Sequence, residues 1–113
     1  MTLLMWRIAF GVACAVQLAA LYAPRAAGPE AGFPYADKVV HLLIFAAVAY
    51  LGPRAGVPAW PLFAVLAANA VISEVIQHVV LPMRSGDAFD TVADLVGVAL
   101  GAWMVSARRV GRT

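Results

Sequence analysis

A carboxylate inside a long apolar segment is the feature that most constrains this chain. The segment covers residues 60–81, and Glu74 interrupts it near its end, within the sequence SEVIQH at residues 73–78. A run of roughly 20 apolar residues suffices to cross a bilayer. An acid at the centre of a membrane helix costs about 2.5–3.5 kcal/mol on insertion scales. Glu74 must therefore form an ion pair, take up a proton or face a water-filled cavity. We expect the rest of the chain to provide this environment for Glu74.

The composition indicates a membrane protein of one domain, residues 1–113. Hydrophobic residues make up 64% of the 113 residues and charged residues 12%, whereas a soluble domain has about 25% charged residues. No segment alternates polar and apolar residues as a half-buried strand does, so an all-α fold is predicted. A net charge of +2 does not suggest a nucleic-acid partner. The lone Cys14 excludes an internal disulfide.

Four apolar segments predict helices at about residues 3–23, 35–52, 60–81 and 90–107. Connectors rich in proline and glycine separate the first three, because these residues stop helices. The second segment is short for a membrane span. The first is expected to be an uncleaved anchor, since no convincing small-residue cleavage site follows it. The prediction is a small four-helix transmembrane bundle, multi-pass in a cell membrane and of the kind expected in a bacterial plasma membrane.

The positions of the basic residues predict the orientation of this bundle. Cytoplasmic loops of membrane proteins carry an excess of lysine and arginine. With four spans, one side holds five basic residues, namely Arg7, Arg54, Arg108, Arg109 and Arg112. The other side holds three, namely Arg25, Lys38 and Arg84. Both termini are therefore predicted to be cytoplasmic, which places most of the acids on the outer side.

Ionisable residues from three helices and one loop then share a depth near the outer side. They predict an outward-facing polar pocket lined by Asp37, Lys38, His41, Glu74, Gln77, Arg84, Asp90 and Asp94. Glu74, His41 and Asp94 are the candidates for acid–base chemistry, although no catalytic signature is present. Histidine and carboxylates are also metal-ligand types, but no paired-histidine motif occurs. Neither a metal nor another cofactor is predicted.

Helical spacing predicts how the faces pack. Asn69, Ser73 and Gln77 recur at i, i+4 and i+8, which makes one polar stripe on the third helix. Gly97 and Gly101 form a small-residue series on the fourth helix, and such series let membrane helices approach closely. The fourth helix is therefore expected to pack tightly against the third, with its acids near Glu74.

Each candidate also has a simpler structural interpretation. The amides and hydroxyl of the polar stripe are more typical of interhelical hydrogen bonds than of ligand contacts. His41 fits an interfacial packing residue as well as a site group. Lys38 fits a cation extended to the interface, and Asp90 fits a helix N-cap. Glu74 is harder to reduce to a structural role, because intramembrane ionisable residues are functional by default.

Taken in order, these residues resemble the VanZ-like family of membrane proteins. The family pattern is Asp-Lys-x-x-His, then Glu-x-x-Gln, an arginine, and Asp-x-x-x-Asn-x-x-Gly-x-x-x-Gly. This chain has DKVVH at 37–41, EVIQ at 74–77, Arg84, DTVADLVG at 90–97 and Gly101. The resemblance covers about residues 37–101. Asp94 stands where the family usually has asparagine, and Phe45 stands where a tyrosine is common.

The resemblance implies a protein that acts on or binds a cell-envelope component, such as a lipid-linked or peptidoglycan-related molecule. The founding member of the family is associated with resistance to the glycopeptide teicoplanin, so a resistance role is also implied. Three alternatives stay open: an intramembrane acid–base enzyme on a lipid-linked substrate, a small proton-coupled transporter, and an assembly subunit. The chain is similar in size to the small multidrug resistance transporters, whose membrane glutamate lies in the first helix. The first helix of this chain carries no acid, which argues against that family. The sequence leaves the oligomeric state open.

Overall fold

The computed structural model describes residues 2–22, 36–80 and 88–110, and within them it contains helices and no strand. The helices are α1 (Leu3–Tyr22), α2 (Ala36–Arg54), α3 (Ala59–Val79) and α4 (Ala88–Val110). Each overlaps one of the predicted segments, and the predicted all-helical class is confirmed. The short connection after α2 contains Gly56 at a φ of 95°, a left-handed conformation that glycine adopts without steric cost.

Three helices are long and apolar enough to cross a bilayer: Leu3–Tyr22, Ala59–Val79 and Phe89–Arg108. Helix α2 is 19 residues long and carries Lys38 near its start and Arg54 at its end.

Helix α2 supplies the centre of the bundle. It contacts each of the other three helices, and its closest partner is α4. Phe45, Val48 and Ala49 are at most 1% exposed and form the core with side chains from α1, α3 and α4, namely Leu21, Leu62, Leu66, Ala70 and Val98. One face of α2 therefore lies in the core, whereas Val39 and Leu43 of the same helix are exposed.

The glycine face of α4 packs on α2, and the prediction that it packs on α3 is wrong. A Cβ built at Gly97 would overlap the carbonyl oxygen of Leu42. One at Gly101 would lie 2.6 Å from the Cβ of Ala49 and 2.7 Å from the carbonyl oxygen of Ala46. The small residues against which α4 packs, Ala46 and Ala49, thus lie on α2. Helix α4 contacts α3 less extensively than it contacts α2.

The described surface has the reverse polarity of a soluble bundle. Large apolar side chains are exposed on all four helices, including Leu4, Leu43, Trp60 and Phe89, whereas several polar side chains are buried. Soluble monomers rarely expose contiguous apolar surface on this scale. Together with the three span-length helices, this pattern supports a multi-pass membrane protein.

Candidate functional site

Four ionisable side chains meet where α2 and α4 begin. Lys38 and His41 lie three residues apart on α2, and Asp90 and Asp94 lie four residues apart on α4. These spacings place each pair on one helix face. Because α2 and α4 begin at the same end and approach closely along the glycine face, the two pairs face each other. We call Lys38, His41, Asp90 and Asp94 the ionic cluster.

Short polar contacts join the members of the ionic cluster. The His41 Nδ1 atom lies 2.7 Å from Oδ1 of Asp94, and its Nε2 atom lies 3.9 Å from Oδ2 of Asp90. The Lys38 ammonium donates a hydrogen bond of 3.1 Å to Oδ1 of Asp90. One imidazole therefore lies between two carboxylates, and a lysine neutralises the outer one.

Burial increases along the cluster. The side chain of Lys38 is 20% exposed, those of Asp90 and His41 are 10% exposed, and that of Asp94 is 2% exposed. Charges in a low-dielectric interior are costly unless paired and hydrogen-bonded. A protonated His41 gives the cluster as many positive as negative charges, whereas a neutral His41 leaves one net negative charge. The net charge of the cluster thus depends on whether His41 carries a proton.

Glu74 is partly buried on α3 and is not isolated there. Its neighbour Ser73 is buried, and the Ser73 hydroxyl donates to the carbonyl oxygen of Ala70 in the preceding turn at 3.2 Å. Thr91 of α4 donates to the same oxygen at 3.4 Å, which links α3 to the first turns of α4. Membership of Glu74 in one pocket with the ionic cluster stays a prediction.

The polar stripe of α3 faces α1. Gln77 is 1% exposed, and its amide donates to the backbone oxygen of Leu21 at 2.8 Å. Asn69 donates to Oε1 of Gln17 at 3.3 Å and accepts a hydrogen bond from the Tyr22 hydroxyl. The two amides of the stripe therefore hold α1 and α3 together, as the simpler interpretation predicted, whereas the Ser73 hydroxyl bonds within α3. Gln17 and Tyr22 were not predicted to take part, although Gln17 is a lone amide in an apolar segment.

Two of the predicted pocket residues fall on positions that the structure does not describe. Arg84 and the side chain of Asp37 lie outside the described residues. Among the described residues, no group of three or more histidine, cysteine or acidic side chains is arranged to hold a metal ion. His78, the second histidine, is exposed on α3 and away from the buried stripe.

Comparisons of this chain with protein-family models, with curated proteins and with solved structures found no match. The ionic cluster is therefore the feature of this chain from which a function can be inferred.

Proposed function

We propose that this chain is a VanZ-like integral membrane protein that binds a cell-envelope component through the ionic cluster. In this proposal all four helices span the bilayer, both termini are cytoplasmic, and the cluster opens to the outer side. The ligand is a lipid-linked or peptidoglycan-related molecule with an ionisable headgroup, and binding contributes to tolerance of teicoplanin.

The observation that carries the proposal is the ionic cluster itself. Lys38, His41, Asp90 and Asp94 occupy four positions of the family-like pattern, and they converge from two helices. Ionisable groups at membrane depth are expensive and commonly mark ligand or proton pathways. Holding α2 against α4 does not require them, because replacing a buried ion pair with well-packed apolar residues is often neutral or stabilising. A functional role explains their presence more directly than a structural one.

The exposure of the four side chains of the ionic cluster indicates which of them a ligand would contact first. Lys38 is its most exposed member and would contact an anionic group, such as a phosphate or carboxylate. The resemblance adds Arg84 to the same site. Binding of an anion at Lys38 would weaken the ion pair between Lys38 and Asp90. His41 can then supply the positive charge near Asp90 by taking up a proton. Ligand binding and proton uptake are therefore coupled in this proposal.

The contact between His41 and Asp94 favours acid–base catalysis as a second candidate function. A buried carboxylate 2.7 Å from Nδ1 orients the ring and stabilises its protonated form, as the orienting acid of a general-base histidine does. The reaction would be proton transfer to or from a lipid-linked substrate. Turnover of such a substrate by the purified protein, lost in a His41→Gln variant, would favour the enzyme over a binding protein.

Replacing His41 is expected to abolish the phenotype without removing the protein from the membrane. In a host whose teicoplanin tolerance depends on this chain, His41→Gln should return the minimum inhibitory concentration to the level of the empty vector. Glutamine keeps a hydrogen-bonding side chain but cannot take up a proton. The measurement pairs the inhibitory concentration with the amount of protein in isolated membranes.

His78→Gln is the matched control, because it makes the same change at an exposed histidine of α3. It should retain full tolerance. Full tolerance in both variants at equal protein levels would contradict a function of the ionic cluster. A Glu74→Gln variant extends the test to the acid on α3.

The proposed topology predicts opposite signals from two reporter fusions. Alkaline phosphatase, active only outside the cytoplasm, should be inactive when fused after Thr113 and active when inserted between residues 84 and 87. The reason is the excess of arginine at the end of the bundle that holds both termini. High activity from the C-terminal fusion would rule this orientation out.

A further inference from the structure

Two arginines share one tyrosine hydroxyl at the end of the bundle opposite the ionic cluster. Arg54 of α2 donates to the Tyr50 hydroxyl at 3.3 Å, and Arg108 of α4 donates to the same oxygen at 3.5 Å. The Arg54 guanidinium carbon also lies 4.2 Å from the centre of the Trp6 ring, within the range of a cation–π contact. Trp6 in turn packs edge-on against Tyr50. We call Tyr50, Arg54 and Arg108 the arginine pair site.

The sequence supplies no acid to this end of the bundle. Residues 1–29, 38–73 and 95–113 contain no aspartate or glutamate, and they include the start of α1, the end of α2, the start of α3 and the end of α4. Arg7 lies at the same end, where it donates to the carbonyl oxygen of Ala55 at 3.2 Å. The positive charge here is thus not compensated by side chains of the neighbouring helix ends.

Two cations that share one neutral acceptor repel each other, and an anion between them removes that repulsion. Each guanidinium has five N–H donors, and the contacts to Tyr50 use a small part of them. Arg108 is exposed and Arg54 is partly buried, so donors of both side chains are within reach of a group at the surface. Planar, fixed guanidinium groups suit the oxygens of a phosphate better than a single ammonium does.

We infer that the arginine pair site binds a phosphate group. Tyr50 and Trp6 hold Arg54 in place, and Arg108 closes on the phosphate from α4. The phosphate belongs either to the headgroup of an anionic phospholipid or to a soluble phosphate ester. This inference is independent of the function proposed for the ionic cluster, because the two sites lie at opposite ends of α2 and α4.

The test uses native mass spectrometry of the full chain purified in a mild detergent. Phosphatidylglycerol and phosphatidylcholine with identical acyl chains are added in parallel, each with and without excess inorganic phosphate. The wild type should retain phosphatidylglycerol in preference to phosphatidylcholine. Arg108→Gln should lower that retention by about fivefold, the contribution expected from one basic residue near an anionic membrane surface, and Arg54→Gln/Arg108→Gln should lower it further.

Arg112→Gln is the matched control, since it removes the same charge from the same terminal segment. It should lower retention clearly less than Arg108→Gln does if the site is specific rather than a general positive surface. Because Arg108 is exposed, its replacement leaves the core intact, and thermal unfolding of each variant verifies this.

The samples with excess inorganic phosphate show which kind of molecule carries the bound phosphate group. Retention that inorganic phosphate does not reduce assigns the site to a lipid headgroup. Competition by phosphate that depends on Arg108 assigns it to a soluble phosphate ester. Equal retention of the two lipids with no effect of inorganic phosphate, or equal losses in Arg108→Gln and Arg112→Gln, would overturn the inference.

Discussion

Alanine at Gly97 or Gly101 lowers the free energy of unfolding of the bundle by about 1–3 kcal/mol, the usual cost of overpacking, and leucine lowers it further. A Cβ at Gly101 would lie 2.6 Å from the Cβ of Ala49 and 2.7 Å from the carbonyl oxygen of Ala46. A Cβ at Gly97 would overlap the Leu42 carbonyl oxygen and lie 3.1 Å from the Ala46 nitrogen. Most of these atoms belong to the α2 backbone, so relief requires the two helices to separate.

The measurement is denaturant or thermal unfolding in detergent, followed by the helical circular dichroism signal. Gly11→Ala is the matched control, because a Cβ at Gly11 of α1 would meet no atom within 4 Å. Alanine is favoured over glycine in an exposed helix by about 1 kcal/mol, so this variant should be as stable as the wild type or more so. A loss of stability at Gly11 equal to that at Gly101 would contradict the close packing of α2 and α4.

Separation of α2 from α4 also acts on the ionic cluster, which the same two helices assemble. Gly97 lies one turn beyond Asp94 on the same face of α4. A shift of the helices at Gly97 therefore lengthens the contact between His41 and Asp94. The glycine variants should lose the proposed activity along with stability, whereas Gly11→Ala should lose neither.

Asp94→Ala has the second large expected effect, a loss of about 3–5 kcal/mol, which is typical of removing one partner from a buried charged pair. Asp94 is 2% exposed, and its carboxylate lies 2.7 Å from His41. Truncation of Asp94 to alanine leaves a void and removes the carboxylate that contacts the His41 imidazole. Asp94→Asn should cost much less, because the amide fills the same volume and keeps an oxygen toward His41.

A double-mutant cycle measures whether the two residues act together. Unfolding is compared for the wild type, His41→Gln, Asp94→Asn and the double variant. Residues in one polar network show coupling energies of about 0.5–3 kcal/mol, whereas independent sites are additive within roughly 0.5 kcal/mol. Strict additivity, or equal stability of Asp94→Ala and Asp94→Asn, would show that the carboxylate does not hold His41.

Local patterns were sufficient to predict the helices and the type of chemistry in the candidate site. Apolar length and the proline and glycine breaks located four helices, since both depend on neighbouring residues alone. The spacing of Asp90 and Asp94 placed them on one face of α4, and Lys38 and His41 were assigned to the same site. The small residues Gly97 and Gly101 were correctly predicted to mark a close helix contact.

The partner of each face was decided by tertiary packing. Helical periodicity determines where a side chain lies around its own helix, but it does not determine which neighbour that face meets. Apolar faces are nearly interchangeable, so shape decides: Ala46 and Ala49 leave on α2 the space that Gly97 and Gly101 require. Once α4 lies on α2, the amides of α3 face α1, where Gln77 reaches the free carbonyl of Leu21 near the end of that helix.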